Sequence, residues 1–145
     1  MQTQTGGENV GQALAIEADG RIVAVSPSVV ARYLPGPEIA SFTASAATVM
    51  AGSSLTLTAS NVSDGDPSSA NPGQYATVIT LAFYAVDTSG NQYLLGYATL
   101  SNGTWTLAYT VDTAILAPGS YTLFAQATDS DGTVGDSAFL PLTVQ

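Results

Sequence analysis

Apolar residues alternate with polar ones along most of this chain, and the alternating stretches are cut by clusters of Gly, Pro, Asn and Asp. Period two with turn signals every eight to twelve residues predicts short half-buried strands, and helix signals are nearly missing. From Pro37 onward the pattern predicts seven strands. The first runs from about Ile39 to Val49, with Ile39, Phe42 and Val49 as its apolar contacts. Leu55, Leu57 and Ala59 share a face of the second. The polar loop SDGDPSSANPGQ follows. The third places Ile79, Leu81, Phe83 and Ala85 on one face and turns at Asp87-Thr-Ser-Gly90. Tyr93 to Leu100 makes a shorter fourth strand. Asn102-Gly103 then signals a two-residue hairpin, because both residues tolerate positive φ. Trp105, Leu107, Tyr109 and Val111 share the next face, and Tyr121, Leu123, Ala125 and Ala127 the one after. Asp131-Gly132 closes the last hairpin, leading to Leu140, Leu142 and Val144. Seven strands with one apolar face each call for two sheets packed face to face.

Upstream, ALAIEADGRIVAV holds a second hairpin signal at Asp19-Gly20. A two-residue turn there pairs Ile16 with Val23 and Leu14 with Val25, gathering these four on one face. A third strand, Val29 to Leu34, precedes the break at Pro35-Gly36-Pro37. The organisation expected is therefore a β-hairpin extension over 1–36 and a sandwich domain over 37–145.

The stretches TVMAGSSLTLTASNVSDGD, ITLAFYAVDTSGNQYLLGYA and LAPGSYTLFAQATDSDGTVGDSAFLPLTV resemble the bacterial Ig-like repeats of large secreted and surface proteins. Gly119-Ser-Tyr121-Thr-Leu123 is similar to the tyrosine corner of Ig folds, with Leu123 where antibody domains carry a cysteine. The chain departs from the antibody pattern in having no cysteine pair and no strand-C tryptophan, Phe83 being the nearest equivalent. The resemblance implies an all-β, immunoglobulin-like β-sandwich of about seven antiparallel strands. ADGRIVAV followed by VARYLPG is similar to one delta-60-type repeat, which builds β-propellers; one such repeat is present.

Charge changes the picture of partners. Residues 1–36 hold three acids and two arginines, and residues 37–145 hold eight acids with no Lys or Arg, which together give the net −9. Such a surface is a poor partner for nucleic acid or anionic lipid. No apolar run approaches the roughly 20 residues of a membrane helix. His, Cys and Lys are essentially excluded from the chemistry: the first two are absent, and no lysine occurs either. Nucleophile–base pairs, Schiff bases and histidine zinc sites are thereby ruled out, and the expectation is a chain that is not an enzyme. The composition and resemblance together suggest a secreted or cell-surface bacterial protein, joined to neighbouring domains of the same polypeptide.

The acidic loops are the candidate metal site. Asp64 and Asp66 lie between the second and third strands, and Asp129, Asp131 and Asp136 between the sixth and seventh. An Ig topology brings those loops to one end, where hard oxygen ligands suit Ca²⁺. Equally, Asp favours turns because its carboxylate caps local amides. Among the aromatics, Tyr84, Tyr93, Tyr97, Trp105, Tyr109 and Phe124 could stack on a glycan. The parity of Trp105 and Tyr109 favours the core, and that of Tyr84 and Phe124 the surface. Asn61-Val-Ser63 and Asn102-Gly-Thr104 match the N-glycosylation pattern. The functions expected are a spacer or adhesion module, a Ca²⁺-dependent binder of glycan or protein, or a filament subunit. The last follows from residues 13–34, whose apolar face needs covering, by a second copy if not in cis.

Overall fold

The computed structural model describes residues 13–16, 22–26, 29–33, 36–64 and 76–145. All regular structure among them is strand, as the period-two pattern requires. Three strands, β1 (Ala13–Ile16), β2 (Ile22–Ser26) and β3 (Val29–Tyr33), form a small antiparallel sheet in chain order. The remaining strands build a sandwich. One sheet holds β4 (Glu38–Ala44), β6 (Ser54–Ser63), β10 (Thr104–Thr110) and β9 (Thr99–Ser101) in the order β4-β6-β10-β9. The larger, six-stranded sheet runs β5 (Thr48–Val49), β13 (Leu140–Val144), β11 (Gly119–Asp129), β7 (Val78–Asp87), β8 (Gln92–Tyr97), with β12 (Val134–Asp136) also on β11.

Alternation supplies the core between the sheets. Leu55, Leu57 and Ala59 face Leu81, Phe83, Ala85, Leu123, Ala125 and Ala127, all fully buried. Phe42 stacks on Phe83 with ring centroids 5.5 Å apart. Trp105 and Tyr109 are buried in the same cluster, as their parity requires. Asn102 and Gly103 both have positive φ, 50° and 77°, the geometry their hairpin demands.

The structure differs from the sequence pattern in three places. Two expected single strands are each divided between the sheets. The stretch from Ile39 to Val49 becomes β4 in one sheet and β5, parallel to β13, in the other. The stretch from Tyr93 to Leu100 becomes β8 and β9. A bulge at Phe83/Tyr84 pairs Tyr84 with Leu94 and Phe83 with Gly96, and Gly96 has φ 154° with Leu107 carbons 3.2 and 3.3 Å from where a Cβ would stand. Alternation marks strand and face but carries no sign of which sheet a strand joins.

Ile79 is 56% exposed, although its parity matches Leu81. The register shifts between Thr128 and Asp129, so Asp129 pairs with Val78 and Ile79 is passed over. A bulge reverses the facing of every residue beyond it.

The N-terminal register is also corrected. Ile16 pairs with Ile22 and Leu14 with Ala24. Five residues separate Ile16 from Ile22, an odd number that a two-residue turn cannot give. The slip by one moves Val23 and Val25 to the face opposite Leu14 and Ile16. The turn itself, Asp19-Gly20, lies outside the described residues, as does most of the loop 63–74.

The chain joins its sandwich through a close backbone contact. A Cβ on Gly36 would stand 2.7 Å from the carbonyl carbon of Val134, and one on Gly135 2.8 Å from that of Pro37. Only glycine permits such an approach.

Candidate functional site: acidic hairpins and the outer face of the larger sheet

The segment that leads into β7 meets the β11–β12 hairpin. Ser130 N donates to Thr77 O at 2.9 Å, and Thr77 N donates to Ser130 Oγ at 3.2 Å, which ties the segment before β7 to the β11–β12 hairpin. Among the described carboxylates, Asp129 and Asp136 are each engaged by donors of their own hairpin. Asp129 is 1% exposed, and its Oδ1 accepts from the amides of Asp131 and Thr133, both at 2.8 Å, while Oδ2 accepts from Thr133 Oγ1. Asp131 is half-buried in that turn, and Asp64 is half-buried beyond β6. Asp136 stands on the outer face of the larger sheet, where Oδ1 accepts from Gln126 Nε2 at 2.9 Å. Asp66 lies outside the described residues. Among the described residues no three His, Cys, Asp or Glu side chains are placed to hold a metal ion together.

Asp87, in the β7–β8 hairpin, is arranged like Asp129. Its Oδ1 accepts from the amides of Ser89 and Asn91, and its Oδ2 from Asn91 Nδ2 and from the Tyr93 hydroxyl at 3.0 Å. Those donors favour the ionised form, the Asn91 side chain most, and hold the Asp87 carboxyl below the usual carboxylate range. Tyr93 is pushed above the usual phenol range, first by its bond to Asp87.

The tyrosine corner is formed. Tyr121 Oη donates to Ala117 O at 2.7 Å, within the expected segment, although Tyr121 is half-buried. Tyr93 meets it edge-on at 6.3 Å.

The outer face of the larger sheet carries the aromatic patch. Phe124 and Tyr84 are cross-strand partners and stack at 5.1 Å and 15°. Phe139 closes on Phe124 edge-on at 5.7 Å. The surface position expected for Phe124 is therefore corrected: it points away from the core but is buried beneath Tyr84 and Phe139. Rings stacked at strand spacing stand on edge, so Tyr84 and Phe124 do not offer a flat platform to a sugar. What remains open is Phe139, 64% exposed, at the β12–β13 edge, and Tyr97, 65% exposed, on β8 at the other edge, with Leu94 on β8 and Val134 on β12 also exposed.

Phe139 was not among the sequence candidates. It falls in the short connection 137–139, where β12 gives way to β13 on the same edge of β11. Ser137 closes the gap there: its amide donates to Ala125 O at 2.8 Å, and its Oγ accepts from Ala125 N at 2.9 Å. A break of this kind has no period-two signature.

No family model matches the chain, and no curated protein matches it either, so neither the bacterial Ig-like nor the delta-60 resemblance gains support from sequence. Among solved structures it is similar to a superoxide reductase (neelaredoxin) from Ignicoccus hospitalis, at 14% identity and TM-score 0.49, over 77% of this chain and 81% of that one. It is also similar to fibronectin(III)-like modules of Clostridium thermocellum CbhA, at 19% identity and TM-score 0.41, over 72% and 46%. CopC from Methylosinus trichosporium OB3b follows at 21% identity and TM-score 0.39, over 71% and 89%. The expectation of a chain that is not an enzyme is corrected by this comparison. A protein titled as a reductase is among the structures it resembles, and a fold by itself neither supplies nor excludes an activity. At these identities no activity, ligand or partner passes from any of them to this chain. What is shown is an all-β, Ig- or fibronectin-like sandwich.

Proposed function

We propose that the chain is a spacer module of a larger secreted or cell-surface bacterial protein, joined in line with neighbouring domains. One observation carries this reading: the chain enters and leaves the sandwich at opposite ends. Glu38 pairs with Ser63 at the far end of β6. Gln145 is bonded to Val49 and Ala51, beside the turn that leads into Ser54 at the near end of β6. Ten residues of strand separate those ends, about 30 Å at the rise of an extended chain. Modules of this kind extend a polypeptide when repeated, whereas adjacent termini would fold it back.

A polar, lysine-free surface of Thr, Ser and Asp supports placement outside the cell, and no helix among the described residues is long and apolar enough to cross a membrane. The test places the chain between two reporter proteins and measures their separation by small-angle scattering. The reporters should move apart by about 30 Å relative to a direct fusion, the length of the β6 strand. Reporters that stay side by side would sink the spacer reading.

A further inference from the structure

Two motifs of the sequence have no part in the spacer reading. Asn61-Val62-Ser63 and Asn102-Gly103-Thr104 each carry an asparagine amide with a hydroxyl two residues on, the pattern on which N-linked sugars are built in exported proteins. The fold brings the two together. Thr104 pairs with Ser60, so just past that pair stand Asn61 on β6 and the Asn102-Gly103 turn that leads into β10. This is also the end at which the chain enters the sandwich, since Glu38 pairs with Ser63.

Alternation alone would turn Asn61 inward, because Leu55, Leu57 and Ala59 share its parity and are fully buried. Instead Asn61 takes φ 51° and is exposed, while Val62 packs against the core as the cross-strand partner of Ile39. A left-handed residue turns the strand there and delivers the amide to solvent. Asn102, with φ 50°, is exposed in its hairpin turn. Among the described residues these two asparagines are the non-glycine positions with positive φ. Asparagine suits that conformation, which accounts for the residue type but asks nothing of the hydroxyls at Ser63 and Thr104.

We propose that this end of the four-stranded sheet is a glycan-attachment site, with Asn61 and Asn102 as acceptors in the folded chain. The assignment rests on the placement outside the cell given above. In the transfer, Asn Nδ2 forms a bond to the anomeric carbon of a sugar carried on a nucleotide or lipid diphosphate. The bond from that carbon to the phosphate oxygen breaks, the diphosphate leaves with the electron pair, and the amide gives up one proton to a base of the transferase. Ser63 and Thr104 supply the hydroxyl by which the transferase selects each acceptor. A sugar at either position stands where the preceding segment joins the sandwich, and its bulk and hydration keep that junction open.

The folded full chain, incubated with a soluble N-glucosyltransferase of Asn-X-Ser/Thr specificity and UDP-glucose, tests this by intact mass and peptide fragmentation. Hexose should appear at Asn61 and at Asn102. Asn61→Asp and Asn102→Asp keep a residue that accepts positive φ, so each should lose its own hexose while circular dichroism shows the fold retained. Thr104→Val leaves Asn102 in its turn and should slow labelling there roughly tenfold, the scale of one lost hydrogen bond. A folded chain that takes no hexose, or takes it only after unfolding in urea, would overturn the site. Labelling of Asn102 at an unchanged rate in Thr104→Val would overturn the part assigned to the hydroxyl. The result is separable from the spacer test: a chain that is labelled but leaves the two reporters side by side keeps its acceptors and loses the spacer reading.

Discussion

Asp87 and Asp129 occupy equivalent positions in two hairpins of the larger sheet, and each carboxylate accepts the amides two and four residues ahead. In both loops the aspartate amide also donates to the carbonyl four residues on, and a glycine three residues on donates back to the aspartate carbonyl. Gly90 and Gly132 take φ of 86° and 81°, which completes a turn with a left-handed third residue. The motif Asp-x-x-Gly thus closes the β7–β8 and β11–β12 hairpins with the same bonds.

Asp129 tests whether the acidic loops serve the turn or a metal. With its carboxylate occupied by three donors inside a closed turn, Asp129→Ala should lower stability by about 1–3 kcal/mol, the cost of stranding buried partners. Melting should be the same in 10 mM CaCl₂ as in EDTA, a concentration above the weakest extracellular calcium sites. A calcium-dependent rise that Asp129→Asn abolishes would restore the calcium reading of Asp64, Asp66, Asp129, Asp131 and Asp136.

Asp87 should leave its mark in acid. Its folded-state pKa lies below the ordinary aspartate value, chiefly through the hydrogen bonds from Asn91. A depressed carboxylate contributes stability above its unfolded pKa, and this is lost as pH falls through the folded value. Denaturation should therefore lose an Asp87-dependent component below about pH 4, near the ordinary aspartate range, and Asp87→Asn should flatten that part of the profile. Carboxyl NMR should show the Asp87 midpoint rising in Tyr93→Phe, which removes one donor. An unmoved midpoint would contradict the Tyr93–Asp87 bond.

Two tyrosines should respond oppositely to loss of the hydroxyl. Tyr121 Oη donates to Ala117 O, so Tyr121→Phe should cost about 1 kcal/mol, the net value of one such bond. The Tyr109 hydroxyl is buried with no hydrogen-bond partner of normal geometry among the described residues, and burial pushes its pKa up. Tyr109→Phe should be neutral or stabilising, because an unmatched buried polar group is removed with the ring retained. Urea denaturation of the two variants side by side decides it, and equal losses would refute the contrast.

The strands and their inward faces were legible because burial on one side of a pleat writes itself as alternation. Leu55, Leu57 and Ala59, Leu123, Ala125 and Ala127, and the Asn102-Gly103 turn all follow from that rule. What escaped it depends on contacts between residues distant in sequence. Phe124 has the parity of an exposed residue and is buried because Phe139, brought across by Ser137, lies over it. Ile79 has core parity and is exposed because a bulge skips it. The Asp129 turn shows a third cause: its sequence suits a metal loop and a capped turn equally, and only the direction of the carboxylate separates them.

Gly135 should be the most sensitive position in the connection between the small sheet and the sandwich. It lies in β12, a three-residue strand on the rim of the larger sheet, with the backbone of Pro37 directly over its Cα. Gly36 meets Val134 in the reciprocal way, so the two glycines let the incoming chain lie flat against β12 before β4 begins. A methyl group at Gly135 cannot be absorbed by a side-chain shift, because the atoms it meets are backbone. Either β12 or the segment 36–37 must move away. Gly135→Ala should therefore cost about 1–3 kcal/mol, as overpacking does, without disturbing the core around Phe83. Amide hydrogen exchange should localise the change. Protection should fall over β12 and the start of β4, while the amides of β6, β7 and β11 keep their order of exchange. Protection unchanged near Glu38 would show that the chain is not seated against Gly135, and the close approach of the two backbones would be refuted.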